Sequence, residues 1–196
     1  MNEILNPQMS EAKIQLLQDS FNRSSNYLEY GMGESSLLAA QNSLQNIISI
    51  DSREDCVASV QEAIANCPYS GNIHLMHANL GSTSAQGIPA NEVMVKNWPQ
   101  YYSSPWVEYR NLGHTPDLIL INGRFQTSCF LYSILLCKTG TRILWNDYLN
   151  RSEHHFVENT LLPKGVVDDM AIFTVNETID KKLATILLFQ NLFNLG

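Results

Sequence analysis

The sequence predicts an α/β fold, a doubly wound and mostly parallel sheet of about seven strands with helices on both faces. Three observations predict it. The hydrophobic period switches back and forth between helical and strand spacing along the chain. Each short β-branched run is followed by an amphipathic stretch, which is the signature of strand-helix-strand units and hence of a parallel sheet. The 196 residues are 44% hydrophobic and 16% charged, enough apolar material for a single domain with a full core.

The elements follow in order. Ile14, Leu17 and Phe21 recur at helical spacing in an N-terminal helix, and Tyr27 to Tyr30 is a short strand cut off by Gly31 and Gly33. A helix over 34–45 turns Leu37, Leu38 and Leu44 inward, and 46–51 (NIISID) is a buried strand. Val57, Val60 and Ile64 then line one face of a helix over 54–65, with a third strand at 72–78. A fourth strand at 117–122 (DLILIN), a helix over 127–138 and a fifth strand at 142–146 complete the alternation. Beyond them come a helix at 153–161, one or two further strands within 166–175, and a C-terminal helix over 179–194. The exception is 79–116, rich in Gly and Pro and carrying Trp98, Tyr101, Tyr102, Trp106 and Tyr109. A connection that long inside one domain reads as an inserted lid or substrate-side segment, whose aromatics either line a site, pack it onto the sheet or form a homo-oligomer contact.

Twelve basic against nineteen acidic side chains give a net charge of −7, so no global field draws this molecule to nucleic acid or to an anionic membrane. The opening residues show no basic region followed by an apolar stretch, and the longest nearly apolar run, 128–137, is half of a bilayer span. Cys56, Cys67, Cys129 and Cys137 form no C-x-x-C pair and read as reduced thiols. The expectation is a cytoplasmic protein acting on a small molecule.

The informative string is Leu28 to Ser36, L-E-Y-G-M-G-E-S-S, where the first strand turns into a helix. Gly31 and Gly33 permit a tight turn and a close approach of backbone to ligand. Asp51 stands eighteen residues beyond Gly33, at the end of the next strand, where a carboxylate accepts both hydroxyls of a ribose. Together these point to an adenosine-containing cofactor. The dinucleotide fingerprint wants a third glycine and a pyrophosphate at the helix start, and here that glycine is missing and Glu34 stands in its way. Glu29 and Glu34 repel a pyrophosphate but suit a sulfonium and an ammonium, which favours S-adenosylmethionine over a nicotinamide dinucleotide.

On these residues the chain resembles the class I S-adenosylmethionine-dependent methyltransferases, with their Rossmann-like fold. E-Y-G-M-G resembles their first motif, Asp51 their ribose-binding acid, HANLG at 77–81 the adenine-side segment, DLILIN the fourth strand, and 138–148 the turn and fifth strand. The likeness covers about 27–175. A narrower one is to uncharacterised bacterial members with D-G-R-F-R after the fourth strand and H-D-Y after the fifth. This chain has N-G-R-F-Q at 122–126 and N-D-Y at 146–148, losing an acid at Asn122 and a base at Gln126. The resemblance implies that Glu29, Gly31 and Gly33 shape the pocket for the methionine part. Ser35 donates to its carboxylate, Asp51 holds the ribose, and Asn79 lies near the adenine.

Ligands of an open α/β sheet lie outside the carboxyl ends of the strands, so Asn122, Arg124, Asp147 and Tyr148 are expected to face the transferable methyl group, Asn122 as one of the residues that bind the cofactor. Asp147 is the first candidate for the base, with His154 and His155 behind it. Arg124 would clamp an anionic group of the substrate or pair with Asp147, and Trp106 and Tyr148 would touch the substrate. No metal is expected, since Asn122 and Asn146 leave Asp147 as the one carboxylate at these strand ends. The leading expectation is methyl transfer to an oxygen or nitrogen of a small polar acceptor, a saccharide or another anionic molecule. The alternatives are an NAD(P)-dependent oxidoreductase on the same sheet and a catalytically inactive protein that binds cofactor or a partner.

Overall fold

A computed structural model describes residues 9–195. Residues 1–8, on which the reading of the opening segment partly rests, lie outside the described residues. Seven strands form one sheet in the order β3-β2-β1-β4-β5-β7-β6. The strands are β1 (Asn26–Tyr30), β2 (Asn46–Asp51), β3 (Asn72–His77), β4 (Leu118–Ile121), β5 (Arg142–Trp145), β6 (Gly165–Val167) and β7 (Met170–Thr174). The first five pair in parallel, and β7 runs antiparallel between β5 and β6.

Six α-helices cover the two faces among the described residues: α1 (Glu11–Phe21), α2 (Glu34–Ala40), α3 (Glu54–Ala65), α4 (Gln100–Asn111), α5 (Gln126–Leu136) and α6 (Lys181–Gln190). Successive strand residues point to opposite faces. Thus Tyr27, Ile47, Leu118, Leu120 and Leu144 form one apolar layer with α1, α2 and α3. Leu28, Tyr30, Ile48, Ile119, Ile121 and Trp145 form the other with α4, α5 and α6. Both layers bury the inner strands β1, β2, β4 and β5, as a parallel sheet requires, whereas β3 and β6 at the two edges are partly exposed.

The differences from the sequence reading have local causes. α2 ends at Ala40, not 45, because the Asn42 amide bonds back to the Leu38 carbonyl at 2.7 Å and the following residues turn into β2. The 153–161 segment forms 3-10 turns over Ser152–Asn159, whose buried residues His154 and Val157 are three apart, the repeat of that helix. Asp117 precedes β4, and its carboxylate accepts from the Ser25 and Asn26 backbone N–H groups to fix the start of β1. Within 79–116 the second half is α4, the crossover helix between β3 and β4, which Pro99 and Pro105 hide from a reading by period. The aromatic residues of α4 pack on the sheet. Tyr109 Oη donates to the Tyr27 carbonyl at 2.7 Å, and Trp106 Nε1 donates to Tyr30 Oη at 2.8 Å. No described helix is long and apolar enough to cross a membrane.

Candidate functional site

The strand order reverses direction between β1 and β4, and the loops that leave these neighbours diverge to opposite faces of the sheet. A crevice opens at such a switch point. Here it is a cleft of about 470 Å³ lined by Gly31, Met32, Gly33, Glu34 and Ser35 after β1, by Asp51, Ser52 and Arg53 after β2, and by Asn122, Gly123 and Arg124 after β4, a volume suited to a small organic ligand.

Two glycines make room for it. Gly31 has φ +94°, and a Cβ there would lie 2.6 Å from the Cα and N of Gly123. A Cβ on Gly123 would in turn lie 2.0 Å from the Tyr101 hydroxyl and 2.9 Å from the Gly31 Cα. The first loop and the fourth therefore touch backbone to backbone at the cleft floor. Tyr101, from α4, fixes the second of them, its hydroxyl accepting from the Arg124 N–H at 3.3 Å. Phe125 then takes a left-handed conformation, φ 54°, and buries its ring among Trp98, Tyr101 and Tyr102 to start α5.

Asp51 stands at the cleft edge of β2. Its Oδ2 accepts from the Met32 N–H at 3.0 Å and its Oδ1 from the Arg53 N–H at 2.8 Å, which uses two of the carboxylate's four lone-pair sites. Burial raises its pKa above the usual aspartate value, against the backbone bonds that lower it. The opposite wall is the turn containing Ala85 and Gln86. Two bonds latch it to the β2 loop: Arg53 Nη1 to the Ala85 carbonyl at 2.6 Å and Ser52 Oγ to the Gly87 carbonyl at 2.9 Å.

Glu29 lies beneath the first loop and does not line the cleft. It is fully buried, and the hydroxyls of Ser35, Ser36 and Ser49 all donate to its carboxylate. Burial pushes its pKa up to about 7, held down in part by these serine bonds and by Tyr27. The Ser35 side chain is therefore turned inward to Glu29, away from the ligand carboxylate that the sequence reading gave it.

The cleft brings together Gly31, Gly33, Ser35, Asp51, Asn122 and Arg124 from the sequence expectations. It leaves out the others. Asn79 is exposed, its Oδ1 accepting from the Gly81 N–H at 3.1 Å. Trp106 is held on Tyr30 in the core, and Tyr148 is fully buried with its hydroxyl donating to Glu158 at 3.0 Å. His154 is only 1% exposed, with Nδ1 2.8 Å from the Thr127 hydroxyl and its ring 5.2 Å from that of Trp145. The residue is packed in the core and does not line the cleft. Asp147 has φ 62°, which swings its carboxylate to Arg151 Nε at 2.8 Å and Asn150 at 2.8 Å. Partial burial acts upward on its pKa, but those two partners outweigh it and hold the group below the usual value. Among the described residues Arg124 has no carboxylate within ion-pair distance, so the pairing with Asp147 is replaced by Arg151. Tyr101, one of the aromatics of 79–116, does reach the cleft, whereas Gly123, Arg53 and Gln86 line it without any role expected from the sequence. Of these three, Gly123 alone carries a local signal, a glycine directly after a strand in N-G-R-F-Q as Gly31 is in E-Y-G-M-G.

No protein-family model and no curated protein matches the sequence. Solved structures do. A methyltransferase-like protein from Silicibacter pomeroyi superposes with a TM-score of 0.85 at 22% identity, covering 96% of this chain and 97% of that one. An O-methyltransferase from Bacillus cereus in complex with S-adenosylhomocysteine gives a TM-score of 0.55 at 12% identity, over 88% and 84%. The N-methyltransferase NodS from Bradyrhizobium japonicum, also with S-adenosylhomocysteine, gives 0.50 at 12% identity, over 84% and 85%. With the strand order and the cleft, these likenesses establish that the chain has the Rossmann-like fold of the methyltransferases.

Proposed function

We propose that the chain is an S-adenosylmethionine-dependent methyltransferase that modifies an oxygen or nitrogen of a small polar acceptor. The observation that carries the reading is Asp51 on the lip of a cleft whose floor is the Gly31 to Gly123 contact. A carboxylate one strand over from a side-chain-free loop matches a nucleoside whose sugar hydroxyls need acceptors and whose tail needs backbone room. Glu34 on the same wall disfavours a pyrophosphate.

When bound, S-adenosylmethionine supplies a methyl group on a sulfonium, with a neutral thioether as leaving group. The chain's own residues would do the rest. Asp51 would accept the ribose hydroxyls through its two unused lone-pair sites. Gly31 and Gly33 would let the tail pass against the backbone. Arg124, half-buried and without an ion-pair partner among the described residues, would draw an anionic group toward the β4 edge. Because the departing group is neutral, positioning the acceptor in line is the larger part of catalysis.

Titration calorimetry with S-adenosylhomocysteine and with NAD tests the reading. Binding of the first and not the second is expected. Binding of NAD alone, or of neither, would sink it.

A further inference from the structure

Lys13 occupies an unusual position for a lysine. It is 6% exposed on α1, and an ammonium so covered must stand against acceptors. It finds two. One is the carboxylate of Asp169 in the β6 to β7 hairpin, with which it forms an ion pair. The other is Asn146 Oδ1, 2.9 Å away at the end of β5. An ammonium has three donors and no lone pair, so it decides which way round the Asn146 amide stands, oxygen toward Lys13 and nitrogen away. Asn146 Nδ2 then donates to Asn122 Oδ1 at 2.8 Å, and this turns the second amide as well. Asn122 lines the cleft with its oxygen committed. What it has left is Nδ2, a donor without a partner among the described residues. Either amide alone could stand both ways round, so the buried cation sets the polarity of the chain from its far end.

We propose that Lys13 is a positioning residue that, through Asn146, presents the Asn122 amide nitrogen to the cleft, and that the group received there is a carboxylate, that of an amino-acid-bearing nucleoside. Asn122 adjoins Gly123, which touches Gly31, so it stands where the tail of such a ligand passes. Arg124, two residues on and also on the cleft wall, adds a cation beside that donor. A donor-only group such as an ammonium would meet N–H against N–H. The inference rests on the cofactor reading above and adds to it the polarity of one end of the site.

The test titrates S-adenosylhomocysteine and adenosine separately into wild type, Lys13→Met and Asn146→Asp by calorimetry. Asn146→Asp still accepts from Lys13 but cannot donate to Asn122. Each variant should bind S-adenosylhomocysteine about tenfold more weakly, while adenosine, which lacks the amino-acid end, stays within about twofold of wild type. Equal losses for both ligands would mark a merely structural role and overturn the proposal, as would no loss for either. Wild type that binds neither ligand overturns the cofactor reading and this inference with it, whereas intact binding that the variants leave unchanged overturns the inference alone. Should a variant fold poorly, wild type supplies a second readout. The Asn122 side-chain amide pair in a nitrogen-proton correlation spectrum should shift with S-adenosylhomocysteine and stay put with adenosine; a pair unmoved by the first would overturn the proposal.

Discussion

Gly31 and Gly123, ninety-two positions apart, meet so closely that a single added methyl carbon on the first would stand 2.6 Å from the backbone of the second. Gly31→Ala therefore faces both a left-handed φ and a backbone clash, and Gly123→Ala a clash with the Tyr101 hydroxyl. Each should cost about 2 kcal/mol or more. For a chain of this length that lowers the thermal midpoint by about 4–8 °C. A melt of either alanine variant at the wild-type midpoint would show the contact to be loose.

Asp51→Asn keeps the shape and one oxygen but loses the charge. Its loss should weaken S-adenosylhomocysteine by about ten- to a hundredfold, the worth of hydrogen bonds to an ionised group. The wild-type affinity should also fall on acidification sooner than an ordinary aspartate would cause, because burial raises this group's pKa and the charged form is the one that binds. Calorimetry at a series of pH values reads both effects, and an affinity untouched by the substitution would remove Asp51 from the site.

Glu29 gives stability a dependence on pH of unusual sign. Its folded value, about 7, lies above that of an unfolded glutamate, so the native state holds a proton that the unfolded chain releases. This contribution is complete below the unfolded value and is lost as the pH rises through 7, amounting to about 3 kcal/mol across the window. Against Glu29→Gln, wild type should therefore lose relative stability between about pH 4.5 and 7. Chemical denaturation at several pH values measures it, and a flat difference would mean that the carboxyl is charged throughout.

His154 has the opposite sign. Burial lowers its pKa, so protonation favours the unfolded chain, and stability is lost as the pH falls below the unfolded value of about 6.5. His154→Phe keeps a ring against Trp145 but strands the Thr127 hydroxyl, for a cost of about 1–3 kcal/mol. It should leave S-adenosylhomocysteine binding unchanged. Because the His154 and Glu29 slopes oppose each other in wild type, each has to be taken as a difference from its own variant. A loss of ligand affinity in His154→Phe would return the residue to the site.

Much of the fold is legible in the sequence because the inner strands of a parallel sheet are apolar runs buried on both faces, as in the isoleucines of β2 and of β4. The crossover helix α4 is not, since Pro99 and Pro105 break its period while its aromatics do the packing. In the site, Gly31, Gly33, Asp51, Asn122 and Arg124 are legible because strand-end loops lie beside the switch point. Asp147 and Tyr148 also follow a strand, but a left-handed turn at Asp147 sends its carboxylate to Arg151, and Tyr148 goes into the core. Arg53's hold on Ala85 and Lys13's on Asn146 leave no local trace at all, because each partner lies far along the chain.

The sheet's order also bears on how the chain is made. β1 pairs with β2 on one side and with β4 on the other. During synthesis, β1, β2 and β3 emerge together, but the fourth strand follows only after α4, so the nascent half-sheet carries an open, apolar edge at what becomes the centre of the finished protein. Such an edge is a template for mispairing between neighbouring chains. The ribosome must therefore deliver residue 121 before either the edge is closed or any ligand has a place to dock.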